Sequence, residues 1–382
     1  VKDYDDQIQW LIDNNIEKTN EINEQWKDLE NERRQLPTAY PTAVGPLVQT
    51  QWNQNSPYNY KCPSGTYTGC VATAMAQILK YHEWPATGTG SYSYTWNSKT
   101  LSANFANTTY DWNNMINKYS SSYTTTQRDA VATLMYHIGI AVKMDYGTSG
   151  SSAATTATSF DDPAAVNAYK KYFKYKWTAT SVFIEDYTDT EWKLLLKNEI
   201  DNNRPIQYSG RSKSGGHSFV FDGYDTDEKF HVNWGWGGTD DAFYAIGHLN
   251  PAPGGIGGNE ESSYNLSNKA VIGIEPDRST SSTVSITASS NNTSWGTVTP
   301  SGTGNYTRFV DMVSITPSAN TGYRFAKWST GSSDVPLKFL ASGDNETITA
   351  NFEPIAGDTL HYCKDAHASS YRLTSTGTNY WG

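Results

Sequence analysis

The chain predicts an α+β fold followed by a small all-β module. Helical periodicity dominates residues 70–201, strand patterning takes over from Ile206, and 284–354 alternates apolar residues with Thr, Ser, Gly and Asn. At 382 residues the chain exceeds one ordinary core and suits two or three domains. Its 37% hydrophobic content, with 13 Trp and 26 Tyr, can fill those cores and still line a cleft.

Residues 1–36 are rich in Glu, Asp, Lys, Asn and Gln, with Ile8, Leu11, Ile12 and Ile16, then Ile22, Trp26, Leu29 and Leu36, at roughly helical spacing. One or two amphipathic helices are expected, ending near Pro37. Pro37, Pro41 and Pro46 then enforce an extended linker. The segment 1–43 reads either as a helical element packed on the main domain or as the end of a propeptide.

Residues 44–276 read as one domain. Val71, Ala74, Met75, Ile78 and Leu79 mark one face of a helix from Cys70 toward Tyr81. Further helices are expected over 126–140, over 163–172 after Asp161-Asp162-Pro163, and over 189–201. Phe219, Val220 and Phe221 then form a buried strand run, 225–228 a turn, and Phe230 and Val232 the return strand; Phe243, Ala245 and Ile246 start another. Residues 277–283 read as a polar linker. In 284–354, Val284/Ile286, Val313/Ile315, Tyr323/Phe325 and Ile348/Ala350/Phe352 alternate between turn residues. Residues 355–382 read as the opening of a further module or a disordered end.

Several function classes are disfavoured. The formal charge of −10 lacks the basic footprint of a nucleic-acid binder and suits solubility outside a cell. Cys62, Cys70 and Cys363 make no disulfide framework and match no zinc spacing, so neither metal nor cofactor is expected. No stretch approaches the roughly 20 apolar residues of a membrane span. Val1 is not an initiator residue, so the chain reads as a processed or trimmed piece.

The chemistry-bearing residues are Cys70 and His217. Cys70 follows Gly69 at a helix start, where the dipole and unpaired N–H groups favour a thiolate. His217 follows Gly215-Gly216, which open backbone space, and leads a buried strand that would hold its ring. Together they suit a thiolate–imidazole pair for acyl transfer. Each also has an ordinary structural reading, as a buried thiol or a packed imidazole. Among the other histidines, His231 is the serious rival, His137 reads as packing, and His82 as a dipole partner at a helix end. Asn233, in Asn233-Trp234-Gly235-Trp236, lies on the returning strand and can accept from one ring nitrogen, with a Trp shielding the bond; Asp222 is the alternative. The Cys70 N–H and a side-chain amide, Gln51 or Gln54, would form the oxyanion hole.

Five segments together, 52–59, 69–82, 144–147, 215–223 and 231–238, resemble the streptopain family of secreted bacterial cysteine peptidases. The resemblance spans roughly residues 47–276. It implies a papain-like domain with a helical lobe and an antiparallel β lobe, acting as an endopeptidase on protein or peptide substrates. It assigns Cys70 as nucleophile, His217 as general base and Gln54, rather than Gln51, as the oxyanion amide. Asn233 and Trp234 match the pair beside the histidine, and Ser152 and Gly216 match residues lining the substrate cleft. Gly254-Gly255-Ile256-Gly257-Gly258-Asn259 resembles the loop over that cleft. The family is made as zymogens, so the resemblance implies that 1–43 is the end of a prodomain. Residues 284–354, with Gly322-Tyr323-Arg324-Phe325-Ala326-Lys327-Trp328, resemble the β-grasp-like surface repeats of internalin B type, which suggests a module binding a surface or another protein. A Cys–His amidase or acyltransferase, and a surface adhesin with a vestigial peptidase domain, are the alternatives.

Overall fold

The computed structural model describes residues 43–120, 122–251 and 263–355. The expected N-terminal helices, the 254–259 loop and the C-terminal tail lie outside the described residues. The four expected helices of the main domain are α1 (Cys70–His82), α2 (Thr125–Ala141), α3 (Ala165–Tyr172) and α4 (Asp189–Asp201). Reciprocal capping boxes, Thr124 with Gln127 and Thr188 with Glu191, fix the starts of α2 and α4. A hairpin, β1 (Ser91–Trp96) and β2 (Lys99–Asn104), precedes α2 and was not expected. Its two turn residues, Asn97 and Ser98, both have left-handed backbone, which a two-residue hairpin turn requires.

The remaining strands of the domain are β3 (Thr180–Phe183), β4 (Ile206–Arg211), β5 (Gly216–Tyr224), β6 (Phe230–Asn233), β7 (Ala242–Tyr244) and β8 (Leu266–Ile272). They form one antiparallel sheet in the order β3-β8-β4-β5-β6-β7. β7 stops at Tyr244, so Ala245 and Ile246 fall outside the expected strand. Alternation along β5 divides its side chains between two cores. Phe219 and Phe221 join Trp192, Tyr208 and Trp234 in a β-lobe core. Val220 joins Trp52, Met75, Leu134 and Tyr169 in a helical-lobe core. Helix α1 is the centre of that second core, with every residue from Val71 to Leu79 buried. Burying Met75, Ile78 and Leu79 completely contributes about 2 kcal/mol each. That packing holds Cys70, at the helix start, against the sheet. The expected linker residue Val44 pairs with Tyr224 in both directions at 2.9 Å, extending the end of β5.

The C-terminal module consists of β9 (Thr283–Ser290), β10 (Gly296–Thr299), β11 (Gly302–Thr307), β12 (Met312–Ala319), β13 (Tyr323–Trp328), β14 (Leu337–Leu340) and β15 (Glu346–Pro354). One sheet runs β11-β9-β15-β13 with β9 and β15 parallel, and the other β10-β12-β14. Val284, Ile286, Val313, Ile315, Trp328, Phe339, Ile348 and Phe352 fill the space between them. The described residues of the module hold no helix, and three strands occupy the second layer.

The 277–283 segment and Trp177 also join the module to the main domain. Trp177, from the main domain, is buried in the module's core and stacks on Phe339 at 4.0 Å between ring centroids. Asp277 is 2% exposed and accepts from Arg308 and from the Gly343 N–H. Arg278 donates to the His82 carbonyl. The polar composition of 277–283 thus reflects a buried ionic clasp as well as exposed chain. Arg308→Leu should leave the Asp277 carboxylate without its cation and cost about 3–5 kcal/mol. Denaturant melts followed by tryptophan emission check this, and an unchanged midpoint would show that the clasp contributes nothing.

Candidate active site

Gly69 precedes α1 with φ of +88°, and a Cβ there would lie 2.7 Å from the Met144 sulfur. Glycine is therefore required for the turn that presents Cys70 at the first position of the helix. No acidic side chain occupies the first turn of α1 to oppose a thiolate. Burial pushes the Cys70 thiol up, and backbone N–H groups of Ser218, Val71 and Cys70 act in the opposite direction. The helix-start lowering expected from sequence is present in those N–H groups but is outweighed by desolvation.

The Ser218 amide is the structural link between the two chemistry-bearing residues. It belongs to β5, directly after His217, and it faces the Cys70 sulfur. Cys70 and His217 line one groove of about 300 Å3, together with Ser152 and Gly216. Residues 151–155, Gly210 and Ser267 also line the groove. Gln54 is not part of the groove wall. It is buried, and its carbonyl accepts from the Thr68 N–H at 3.0 Å, so its backbone runs beside the approach to Cys70.

His217 is 6% exposed, and its Nε2 lies 2.9 Å from the Trp234 carbonyl oxygen. A carbonyl only accepts, so Nε2 carries a proton and Nδ1 is the basic nitrogen of the neutral ring. Burial pushes the His217 pKa down to about 4, against the raising effect of that bond. The ring lies among aromatics. Trp236 stacks on it at 4.9 Å, nearer than Trp234 at 6.0 Å. Trp234 is buried and takes no part in lining the groove.

Asn233 does not bond to the imidazole, which corrects the expected contact. Its Oδ1 accepts from Gln77 Nε2 at 2.9 Å and from the Gly235 N–H at 3.1 Å, while its Nδ2 donates to the Thr50 carbonyl at 2.7 Å. The Gly235 N–H and the Trp234 carbonyl belong to the same peptide group. Asn233 therefore reaches His217 at one remove, by holding the peptide that holds the ring. Asp222, the alternative partner, is engaged elsewhere with the Val48 N–H and with His231 Nδ1 at 2.6 Å. That also removes His231 as the rival. His137 bonds the Tyr110 hydroxyl, and desolvation of the half-buried His82 ring pushes its pKa down to about 4, so it is no cationic dipole partner.

Reading from the sequence missed Trp236, Gln77 and Gln207. Gln207 Nε2 donates to the Val71 carbonyl and to Ser218 Oγ, tying the start of α1 to the His217 strand. Gln77 carried a signal, being with Thr73 one of two polar side chains in the buried span of α1. Gln207 had no comparable signal.

The main domain is thus an α+β fold in two lobes with a groove lined by Cys70 and His217. The family model for the Peptidase C10 family matches residues 52–244, and the chain belongs to that family. The model for the divergent InlB B-repeat domain matches residues 282–356. Streptopain from Streptococcus pyogenes is 36% identical over 247 residues, which is 59% of this chain and 60% of that protein. The thiol protease/hemagglutinin PrtT of Porphyromonas gingivalis is 33% identical over 252 residues, 62% of this chain and 28% of its own length. This chain thus spans 60% of the length of the streptopain relatives it matches. Among solved structures, the active wild-type interpain A cysteine protease of Prevotella intermedia is 37% identical with a TM-score of 0.56. That alignment covers 63% of this chain and 98% of interpain A. A prointerpain A fragment from the same organism is 33% identical with a TM-score of 0.52, covering 66% and 81%.

Proposed function

We propose that the protein is a secreted bacterial endopeptidase that cleaves polypeptides bound in extended form across the groove. The observation that carries this reading is the Cys70 sulfur meeting the amide that follows His217, at the start of a helix and beside an open cavity. His217 Nδ1 takes the thiol proton, and the Cys70 sulfur attacks the scissile carbonyl. The imidazolium then protonates the leaving amine, giving an acyl-enzyme that water hydrolyses with the same nitrogen as base. The Cys70 N–H and the Gln54 side chain stabilise the oxyanion. Ser152 and Gly216 contact the substrate backbone, and Trp234 and Trp236 shield the His217 bond from water. Within this reading 44–276 is the catalytic domain, 284–354 is a module that binds a surface or another protein, and 1–43 is the end of a prodomain. Export is supported by the resemblance of both domains to bacterial secreted and surface proteins; recovery of the chain only from the cytosol of its native cells would contradict it.

A mapped peptide library tests the activity, with mass spectrometry applied to the peptides and to the chain itself. Internal cleavage is expected, with one epoxide thiol inhibitor bound at Cys70 and self-cleavage between residues 40 and 47. Peptides left uncut but joined to amines would replace the hydrolase with an acyltransferase. Absence of both cutting and labelling would leave only the adhesin reading.

A further inference from the structure

Gln77 lies seven residues beyond Cys70, and Cys70, Thr73 and Gln77 share one face of α1. Two turns place Gln77 about 10 Å along the axis from Cys70, too far to touch reacting atoms. Its side chain is fully buried in the helical-lobe core. An amide there is costly unless bonded, and an apolar side chain of the same volume would serve the core as well. The Gln77 amide is bonded at both ends. Oε1 accepts from Thr50 Oγ1 at 3.0 Å and from the Trp52 N–H at 3.2 Å. Nε2 donates to Asn233 Oδ1 at 2.9 Å.

The orientations are self-consistent. The Trp52 N–H can only donate, so the atom facing it is Oε1 and the other is Nε2. Nε2 in turn requires Oδ1 of Asn233, which suits the Gly235 N–H, and leaves Nδ2 for the Thr50 carbonyl. The 234–235 peptide also lies directly on α1. Gly235 has φ of +71°, and a Cβ on it would stand 3.1 Å from Thr73 Cγ2 and 3.9 Å from Gln77 Nε2.

We propose that Gln77 is a positioning residue for the base, a strut through which the nucleophile's own helix sets the peptide whose carbonyl holds His217. The path runs from α1 through Gln77 and Asn233 to the 234–235 peptide and the Nε2 proton of His217. Sulfur and imidazole come from different lobes, so their alignment depends on a link of this kind. The proposal rests on the peptidase reading above.

A double-mutant cycle tests it, with peptide cleavage and iodoacetamide alkylation of Cys70 against pH as readouts. Gln77→Met keeps the volume and removes all three bonds. It should lower kcat about 10- to 100-fold with KM within about twofold, and shift the pH profile of alkylation. In the Asn233→Ala background the same substitution should change kcat by less than about twofold, because the path is already cut. Losses that multiply in the double variant, or a loss carried by KM or thermal stability alone, would overturn the proposal. Should Gln77→Met not fold, Thr50→Val removes one donor to the same amide, and the same non-additivity with Asn233→Ala is expected. A wild-type chain that neither cleaves nor alkylates would sink the peptidase reading and this one together. An active wild type with multiplying losses would sink only this one.

Discussion

Cys70→Ala is expected to abolish peptide cleavage while the chain remains folded. Alanine is the best helix former, and the change removes only one sulfur from the rim of the groove, so α1 and its core should stay intact. The reaction loses its only covalent acceptor for the acyl group. Turnover should fall at least about a thousandfold, since what remains is binding and the oxyanion donors. His217→Ala should cost a similar amount, because nucleophile and base act as a unit. Asn233→Ala should cost less, as it reaches the imidazole only through the 234–235 peptide. Single-turnover cleavage of one peptide by the three variants provides the comparison, with circular dichroism to confirm folding. Cys70→Ala activity above about 1% of wild type would remove Cys70 from the nucleophile role. Equal losses in the His217 and Asn233 variants would mean that Asn233 does more than position a peptide.

What sequence revealed here follows from where each signal is carried. Helices α1, α2, α3 and α4 were legible because each combines an apolar face with an end signal, and their bounds agree with expectation to within two residues. The β1–β2 hairpin escaped because its turn is Asn97-Ser98, without the glycine that usually betrays left-handed backbone. Cys70 and His217 carry their chemistry in their side chains and were found. The group that holds the His217 ring is the Trp234 carbonyl, and any residue can offer a carbonyl. A sequence reading looks for a side chain in that role and so chose Asn233, which sits one hydrogen bond further out. The docking of the module was hidden for a related reason. Trp177 stands in a connecting segment with no periodicity to show that its partner is Phe339, more than a hundred residues away.

Acid should unfold the protein more steeply than its carboxylates alone would predict. Burial holds His82, His137 and His217 at folded-state pKa values of about 4, against about 6.5 in an unfolded chain. A histidine whose folded pKa is depressed stabilises the fold above its unfolded pKa and loses that contribution as pH falls toward the folded one. Between about pH 6.5 and 4 the unfolded chain therefore binds up to three protons that the folded chain refuses. Asp241 opposes one of them. Burial raises its pKa to about 6, despite the Trp234 N–H it accepts and nearby His231, and Asp222 and Asp240 act in the same direction as burial. Its folded state thus binds a proton that an unfolded carboxyl near pH 5 has lost. The net difference near pH 5 is about two protons, so stability should fall by about 2 to 3 kcal/mol per pH unit. Against a total of about 5–15 kcal/mol for an ordinary domain, a drop from pH 6.5 to 4 consumes much of the reserve. Urea midpoints measured between pH 7 and pH 4 would show the slope, and His82→Phe should remove about one proton's share of it. His82 is the informative choice, because among the described residues its buried Nε2 has no hydrogen-bond partner and a phenyl ring there abandons no bond at that atom. A midpoint that stays level to pH 4.5 would mean that these imidazoles ionise within the folded chain, and the neutral His217 on which the proton transfer depends would lose its support.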